Sequence, residues 1–227
     1  MSLELVIFDC DGVLVDSEPV ASRVASAALG ELGWAISPAE CFRLFTGMTL
    51  HDALPLVQAR VGTVPDGWLD QLAERFMLAM STEAEPVPGA RETLLATDRR
   101  GLAWCVASNS SRREMAAKFA VTGLAGLVGA RIHAAADVGR GKPAPDLFLA
   151  AAAANAVPPE RCLVVEDSVP GVSAAAAAGM VCVGLARHDD GAALAGLGAR
   201  VIHDLGELAG LLDVAMRHGP RHLRRDQ

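Results

Sequence analysis

Leu3 to Phe8 is an apolar run, broken only by Glu4, that ends abruptly at Asp9-Cys10-Asp11-Gly12. A stretch so short and so apolar suits a strand buried on both faces, as in parallel sheets covered by helices. The two carboxylates that follow are two residues apart, so in extended chain Asp9 and Asp11 point the same way while Cys10 turns into the packing behind them. Gly12 lets backbone N–H groups come close to an anion. Open α/β sheets place ligands at the C-terminal ends of their strands, and the acidic pair falls at such an end. The pattern suits phosphoryl transfer, one carboxylate attacking and the other handling protons. An Asp-x-Asp-Gly stretch is by itself a common solvated turn. Its place directly after an apolar strand, with matching segments downstream, argues for chemistry instead.

Past Asp16 the pattern changes from strand to helix. Ser17 is placed to cap, Pro19 is tolerated in a first turn, and Val20, Val24, Ala28 and Leu32 fall along one helical face. Helical patterns continue through Arg60, and Asp66 precedes Leu69, Leu72, Phe76 and Met80, another amphipathic series. Glu83 to Gly89, with Pro86 and Pro88, reads as a linker. An all-helical insert is therefore predicted over residues 17–85. Beyond it, candidate strands at Leu102–Ala107, Arg131–Ala134, Cys162–Val165, Met180–Leu185 and Arg200–Ile202 alternate with helices. Ser111 and Glu114 have capping-box spacing, and Ser168 with Pro170 opens a further helix. The fold class is α/β: a Rossmann-like three-layer core with a mainly parallel sheet, built from residues 1–16 and 86–227, carrying the inserted helical domain.

Composition narrows the partners. With 227 residues, 52% of them hydrophobic, the chain can bury a full core and a modest insertion. A net charge of -7 argues against a nucleic-acid partner, because backbone phosphates call for a clustered basic surface. The one basic cluster, Arg217 to Arg225, reads as a frayed tail. Glu4 and the immediate strand do not resemble a signal peptide, and the alanine-rich stretches at Leu149–Ala156 and Ala174–Ala178 are too short to span a bilayer. A soluble cytoplasmic protein without membrane contact is expected; its oligomeric state is not readable. Five cysteines is an odd count, and Cys10, Cys105, Cys162 and Cys182 lie in or beside apolar runs, so no disulfide framework is expected. A cysteine phosphatase needs an arginine at a fixed spacing after its nucleophile. The residues at that spacing here are Asp16, Gly47, Ser111, Ser168 and His188.

Three downstream segments carry polar groups at strand ends. Ser108-Asn109-Ser110-Ser111 follows the Leu102–Ala107 run at a helix N-terminus, a place that attracts phosphate; for Ser110 and Ser111 plain capping is the better reading. Gly141-Lys142-Pro143-Ala144-Pro145-Asp146 sets one of only two lysines, the other being Lys118, in a rigid loop whose Pro145 and Asp146 begin a helix. Val164-Val165-Glu166-Asp167-Ser168 puts two acids at the end of another buried strand, a hard-oxygen set suited to Mg2+, with Ser168 the better helix cap.

Together with Phe8–Glu18, these motifs resemble the haloacid dehalogenase superfamily of aspartate-nucleophile phosphotransferases, in the branch with a helical cap inserted after the first strand. The resemblance implies Asp9 as nucleophile, Asp11 as acid and base, and Lys142 stabilising the nucleophile and the charge on the transferring group. Phosphate would be held by Asp11, Gly12, Ser108 and Lys142, with Asn109 a helper. Mg2+ would be bound by Asp9 and Asp167, by the backbone carbonyl of Asp11, and by Glu166 mainly through water. The implied activity is hydrolysis of a small phosphomonoester, a sugar phosphate or sugar-acid phosphate of the kind handled by 6-phosphogluconate phosphatases.

Relatives with other chemistry fit less well. Dehalogenases lack the second Asp, and phosphonate-cleaving members need a cap lysine, whereas no lysine lies in residues 17–85. The alternative is a β-phosphoglucomutase-like mutase; its cap histidine and arginine positions hold Ala21 and Leu50 here. Candidate substrate contacts in the cap are Glu18, Arg23, Thr46, Gly47, Met48 and His51, with Arg43 beside them, each also readable as a solvated helix residue. Asp16–Glu18 and Glu83–Gly89 are the expected hinges of a cap that gates access.

Overall fold

A computed structural model describes residues 2–45, 48 and 50–224. They fall into two compact units, residues 2–15 with 86–224, and residues 16–85. In chain order the elements are β1 (Leu5–Phe8), β2 (Val15–Asp16), α1 (Glu18–Glu31), α2 (Pro38–Phe45), α3 (Leu50–Val61), α4 (Trp68–Glu83), β3 (Glu85–Pro86), α5 (Ala90–Arg99) and β4 (Ala103–Ser108). There follow α6 (Arg112–Val121), α7 (Ala125–Val128), β5 (Ile132–Ala134), α8 (Asp146–Ala154), β6 (Cys162–Glu166), α9 (Val169–Ala177), β7 (Val181–Leu185), α10 (Ala192–Gly196), β8 (Arg200–Ile202) and α11 (Leu208–His218).

The first unit is a six-stranded sheet in the order β5-β4-β1-β6-β7-β8, every pair parallel. All six strands expected from the apolar runs are present, with ends moved by a residue or two. Because β1 is central, its residues are covered on both faces. Leu5 and Ile7 pack with Cys105, Val164 and the α8 and α9 residues Phe148, Ala151, Val172 and Ala175. Val6 and Phe8 alternate to the opposite face, where Phe8 meets Trp104 edge-on at 6.2 Å and the Trp104 indole donates to Asp98 of α5. Helices on both sheet faces give the Rossmann-like three-layer arrangement.

Register then fixes the site. Phe8 lies opposite Val106 and Val165, so Asp9, Ser108 and Glu166 emerge together at the C-terminal edge, where Asp9 N–H donates to the Val165 carbonyl at 2.9 Å. The chain leaves this edge through β2 and returns through β3, which pair as a two-stranded ribbon; Val87 N–H donates to Leu14 O at 3.0 Å.

In the helical unit Val20, Val24, Ala28 and Leu29 of α1 pack with Cys41, Val57, Trp68, Leu72 and Ala79, and Leu32, Leu69, Phe76 and Met80 line the margin. Ser17 does not cap α1: its backbone is already helical at φ -85, ψ -24, and its side chain makes no capping bond. Ser111 with Glu114 forms the expected capping box, and Ser168 Oγ accepts from Gly171 N–H at 3.1 Å. The tail departs from the expected fraying. Pro220–Arg224 forms a turn of 3-10 helix against α11, anchored by buried Leu223. All five cysteines are buried free thiols. Among the described residues no helix is long and apolar enough to cross a membrane.

Candidate active site

Asp9, the first residue past β1, is only 6% exposed, and its Oδ1 accepts from Lys142 Nζ at 2.5 Å. The same ammonium donates to Glu166 Oε1 at 2.6 Å and lies 5.0 Å from the centroid of the Phe148 ring. Glu166 is fully buried, and its second oxygen accepts from Asp167 N–H at 3.0 Å, Ser168 N–H at 2.9 Å and Ser168 Oγ at 2.8 Å. Glycine makes this possible, because a Cβ on Gly171 would lie 1.8 Å from the Glu166 carboxyl carbon. The start of α9 is thereby pressed onto a carboxylate, which the helix N-terminus favours.

Gly12 has two reasons to be glycine. Its φ is +72, and a Cβ there would fall 1.8 Å from Asp167 Oδ2. The turn after Asp9 therefore lies directly against Asp167, and oxygens of Asp9, Glu166 and Asp167 come within 4.8 Å of one another. One buried lysine faces these acids. Burial pushes the Asp9 carboxyl up to about 7; Lys142 pulls it down, but Glu166 and Asp11 push it up again. Burial alone would lower the Lys142 ammonium, yet Asp9 and Glu166 outweigh it and hold the group above the usual lysine range. Lys142 thus shifts as an ion pair predicts, whereas Asp9 does not, since an isolated pair lowers its acid. Burial is the larger cause, and charge count adds to it, because the one Lys142 ammonium faces both Asp9 and Glu166. A buried, oxygen-rich, negative cluster is the donor set a hard divalent cation takes.

The loop bearing Lys142 is fixed from β4. Asn109 Nδ2 donates to Lys142 O at 3.1 Å and Oδ1 accepts from Lys142 N–H at 2.9 Å, with Gly141 leaving room for the amide. Both polar atoms of Asn109, the expected phosphate helper, hold the lysine's backbone, and the second proton of Nδ2 is left over from these two bonds. Arg140 and Asp146 pair at 3.0 Å across the same loop. Ser108 is 3% exposed and its oxygen accepts from Ser110 N–H at 3.1 Å, a use that leaves its proton to donate.

Asp11 sits apart from the acid cluster in its contacts. Both of its oxygens accept from Lys118 Nζ at 2.7 Å, and Oδ2 accepts from Ser110 Oγ at 2.9 Å. Neither partner was foreseen: Ser110 was read as a cap and Lys118 as no more than the second lysine. The signal was the helical stripe, since Met115, Lys118 and Phe119 are all buried in α6, and a cation in a buried stripe needs a buried anion.

In the helical unit the sequence candidates are less concentrated. Arg23 is ion-paired with Glu83 on α4, and Glu18 opens α1. Arg43 closes α2, His51 is exposed in α3, and Met48 is exposed between them. Thr46 and Gly47 lie outside the described residues.

The sequence model of the haloacid dehalogenase-like hydrolase family matches residues 3–179. The chain belongs to this family. Among curated relatives, 6-phosphogluconate phosphatase of Escherichia coli (strain K12) is 32% identical over 180 residues, 78% of this chain and 80% of that protein. Among solved structures, a HAD family hydrolase from Deinococcus radiodurans R1 with bound phosphate and sodium superposes with a TM-score of 0.84 at 38% identity, covering 95% of this chain and 97% of that one. A β-phosphoglucomutase assignment from Thermotoga maritima, itself provisional, gives a TM-score of 0.78 at 26% identity, covering 93% and 99%.

Proposed function

We propose that the chain is a phosphatase releasing inorganic phosphate from a small phosphorylated metabolite, with Asp9 as nucleophile. The observation that carries this is the buried Asp9–Lys142–Glu166 ion network at the strand edge, with Asp167 brought against it by Gly12. An Asp9 oxygen attacks phosphorus as the bond to the leaving oxygen breaks, Asp11 gives that oxygen a proton, and water then hydrolyses the aspartyl-phosphate as Asp11 takes a proton back. Lys142 and Ser108 hold the oxygens of the transferring group. Hard cations suit the acid cluster, and Asp9, Asp167 and the Asp11 carbonyl would hold Mg2+, with Glu166 behind them through water. When bound, Mg2+ supplies positive charge opposite that developing on the phosphoryl oxygens.

The named substrate of the Escherichia coli relative supports a sugar phosphate or sugar-acid phosphate, and the cytoplasm is the compartment in which we place the reaction. The mutase alternative has the same core chemistry but would return the phosphoryl group to a sugar; Ala21, Leu50 and the absence of lysine from residues 17–85 weigh against it. Residues 16–85 would act as a cap over the chemistry, with Glu18, Arg23, Met48 and His51 its candidate substrate contacts. A panel of phosphorylated metabolites assayed for phosphate release, with Mg2+ and with EDTA, tests the reading. Release confined to Mg2+ is expected, and conversion of β-glucose 1-phosphate to the 6-phosphate without release would favour the mutase.

A further inference from the structure

Lys118 is one of two lysines in the chain and, like Lys142, is buried with its ammonium committed. An ammonium has three protons, and all three are used here: on Asp11 Oδ1 and Oδ2 at 2.7 Å each, and on Ser110 Oγ at 3.1 Å. Ser110 then donates to Asp11 Oδ2 at 2.9 Å, closing a triangle of donors around one carboxylate. The lysine side chain is 10% exposed. Burial works against its charge, and Asp11 more than offsets that, holding the group above the ordinary lysine range.

Packing does not explain such a group. Its neighbours on the α6 stripe, Met115 and Phe119, are apolar, and an unbranched apolar side chain would continue that stripe without desolvating an ammonium. What the lysine does accomplish is geometric. Asp11 follows β1 by three residues, and Lys118 in the last turn of α6, together with Ser110 just before the capping box that starts this helix, holds its carboxylate in place.

We infer that Lys118, seconded by Ser110, is a positioning residue that sets the Asp11 carboxyl for delivering a proton to the leaving oxygen. This rests on the phosphatase reading above. Proton delivery matters only when the departing group is a poor one: an alkoxide must be protonated as its P–O bond breaks, whereas p-nitrophenolate leaves without help. Misplacing Asp11 should therefore harm the two substrate types unequally, which loss of packing or of phosphate binding would not do.

The test is steady-state turnover with Mg2+ of an alkyl phosphate (a hexitol phosphate) and of p-nitrophenyl phosphate, in wild type, Lys118→Met, Lys118→Arg and Ser110→Ala. For Lys118→Met, kcat/KM with the alkyl phosphate, which reports the step in which the leaving group departs, should fall about 100-fold while that with p-nitrophenyl phosphate stays within about threefold; kcat, which also contains the shared hydrolysis of the aspartyl-phosphate, can fall for both. Lys118→Arg should recover part of the loss, and Ser110→Ala should show the same inequality to a lesser degree, which keeps the test open if Lys118→Met does not fold. Equal losses of kcat/KM on both substrates, or none on either, in folded variants would overturn the inference. Failure of wild type to release phosphate from either substrate, or full activity in Asp9→Asn, would instead sink the phosphatase reading beneath it.

Discussion

At the scale of single residues the decisive fact is that Asp9 is buried among more negative than positive charge. Its carboxyl is raised to about 7, against about 3.9 in an unfolded chain. The folded state therefore holds more protons between those values, and folding stability falls as pH rises through that window. The gap corresponds to at most about 4 kcal/mol. Asp9→Asn removes the penalty, so in EDTA the variant should gain stability relative to wild type between pH 5 and pH 8, measured by urea unfolding at each pH. A constant difference would show that Asp9 titrates normally. The same substitution should cut phosphate release at least about 1000-fold, since it removes the proposed nucleophile. More stable and inactive is the joint expectation, and residual turnover near wild type in the presence of Mg2+ would rule out Asp9 as nucleophile. Gly12→Ala is different in kind: it meets Asp167 Oδ2 and takes a φ of +72. It should cost about 1–3 kcal/mol and depress turnover along with Mg2+ affinity, read by calorimetric titration.

At the scale of elements, legibility followed hydrophobic pattern. The six strands of the sheet were readable because each is a short apolar run, and their C-terminal ends carry the polar motifs in plain view. The two-residue strands β2 and β3 have no such run, and their pairing is not legible in sequence, where Glu83–Gly89 reads as a linker and hinge. Ser17 failed as a cap because composition shows a hydroxyl but not the backbone angle that would let it reach. Lys118 was missed for a related reason: sequence shows a cation on a helix, and only the fold reveals that its face is buried against Asp11. Asn109, expected to help hold phosphate, has a second use that sequence does not show, as the brace of the Lys142 loop. That brace predicts a split between stability and activity. Asn109 is exposed, so Asn109→Ala should cost less than about 1 kcal/mol of folding free energy, while a loosened Lys142 should lower kcat about tenfold or more. Thermal unfolding beside turnover checks it, and a stability loss with unchanged kcat would show the brace to be irrelevant to chemistry.

At the scale of the whole molecule, the residues proposed to carry the chemistry belong to one of the two units. Asp9, Asp11, Ser108, Lys118, Lys142, Glu166 and Asp167 all lie in residues 2–15 and 86–224, and the helical unit is a continuous excursion of residues 16–85. The excursion leaves and returns through the paired β2 and β3, with Leu14 and Val87 hydrogen-bonded at 3.0 Å, so its two ends are already neighbours. Each unit has its own buried cluster, which makes independent folding the expectation. Replacing residues 17–84 by a short Gly/Ser turn should therefore leave a cooperatively folding α/β unit. Mg2+ should stabilise that unit and the full chain alike, by about 2.7 kcal/mol at a hundredfold excess over Kd. If substrate selection resides in the helical unit, as proposed, the excised protein should turn over p-nitrophenyl phosphate measurably but lose preference among sugar phosphates, with the ratios of kcat/KM across a panel collapsing toward one. Retained preference would place selection in the α/β unit instead, and loss of Mg2+ stabilisation in a folded product would show that the helical segment helps build the metal site.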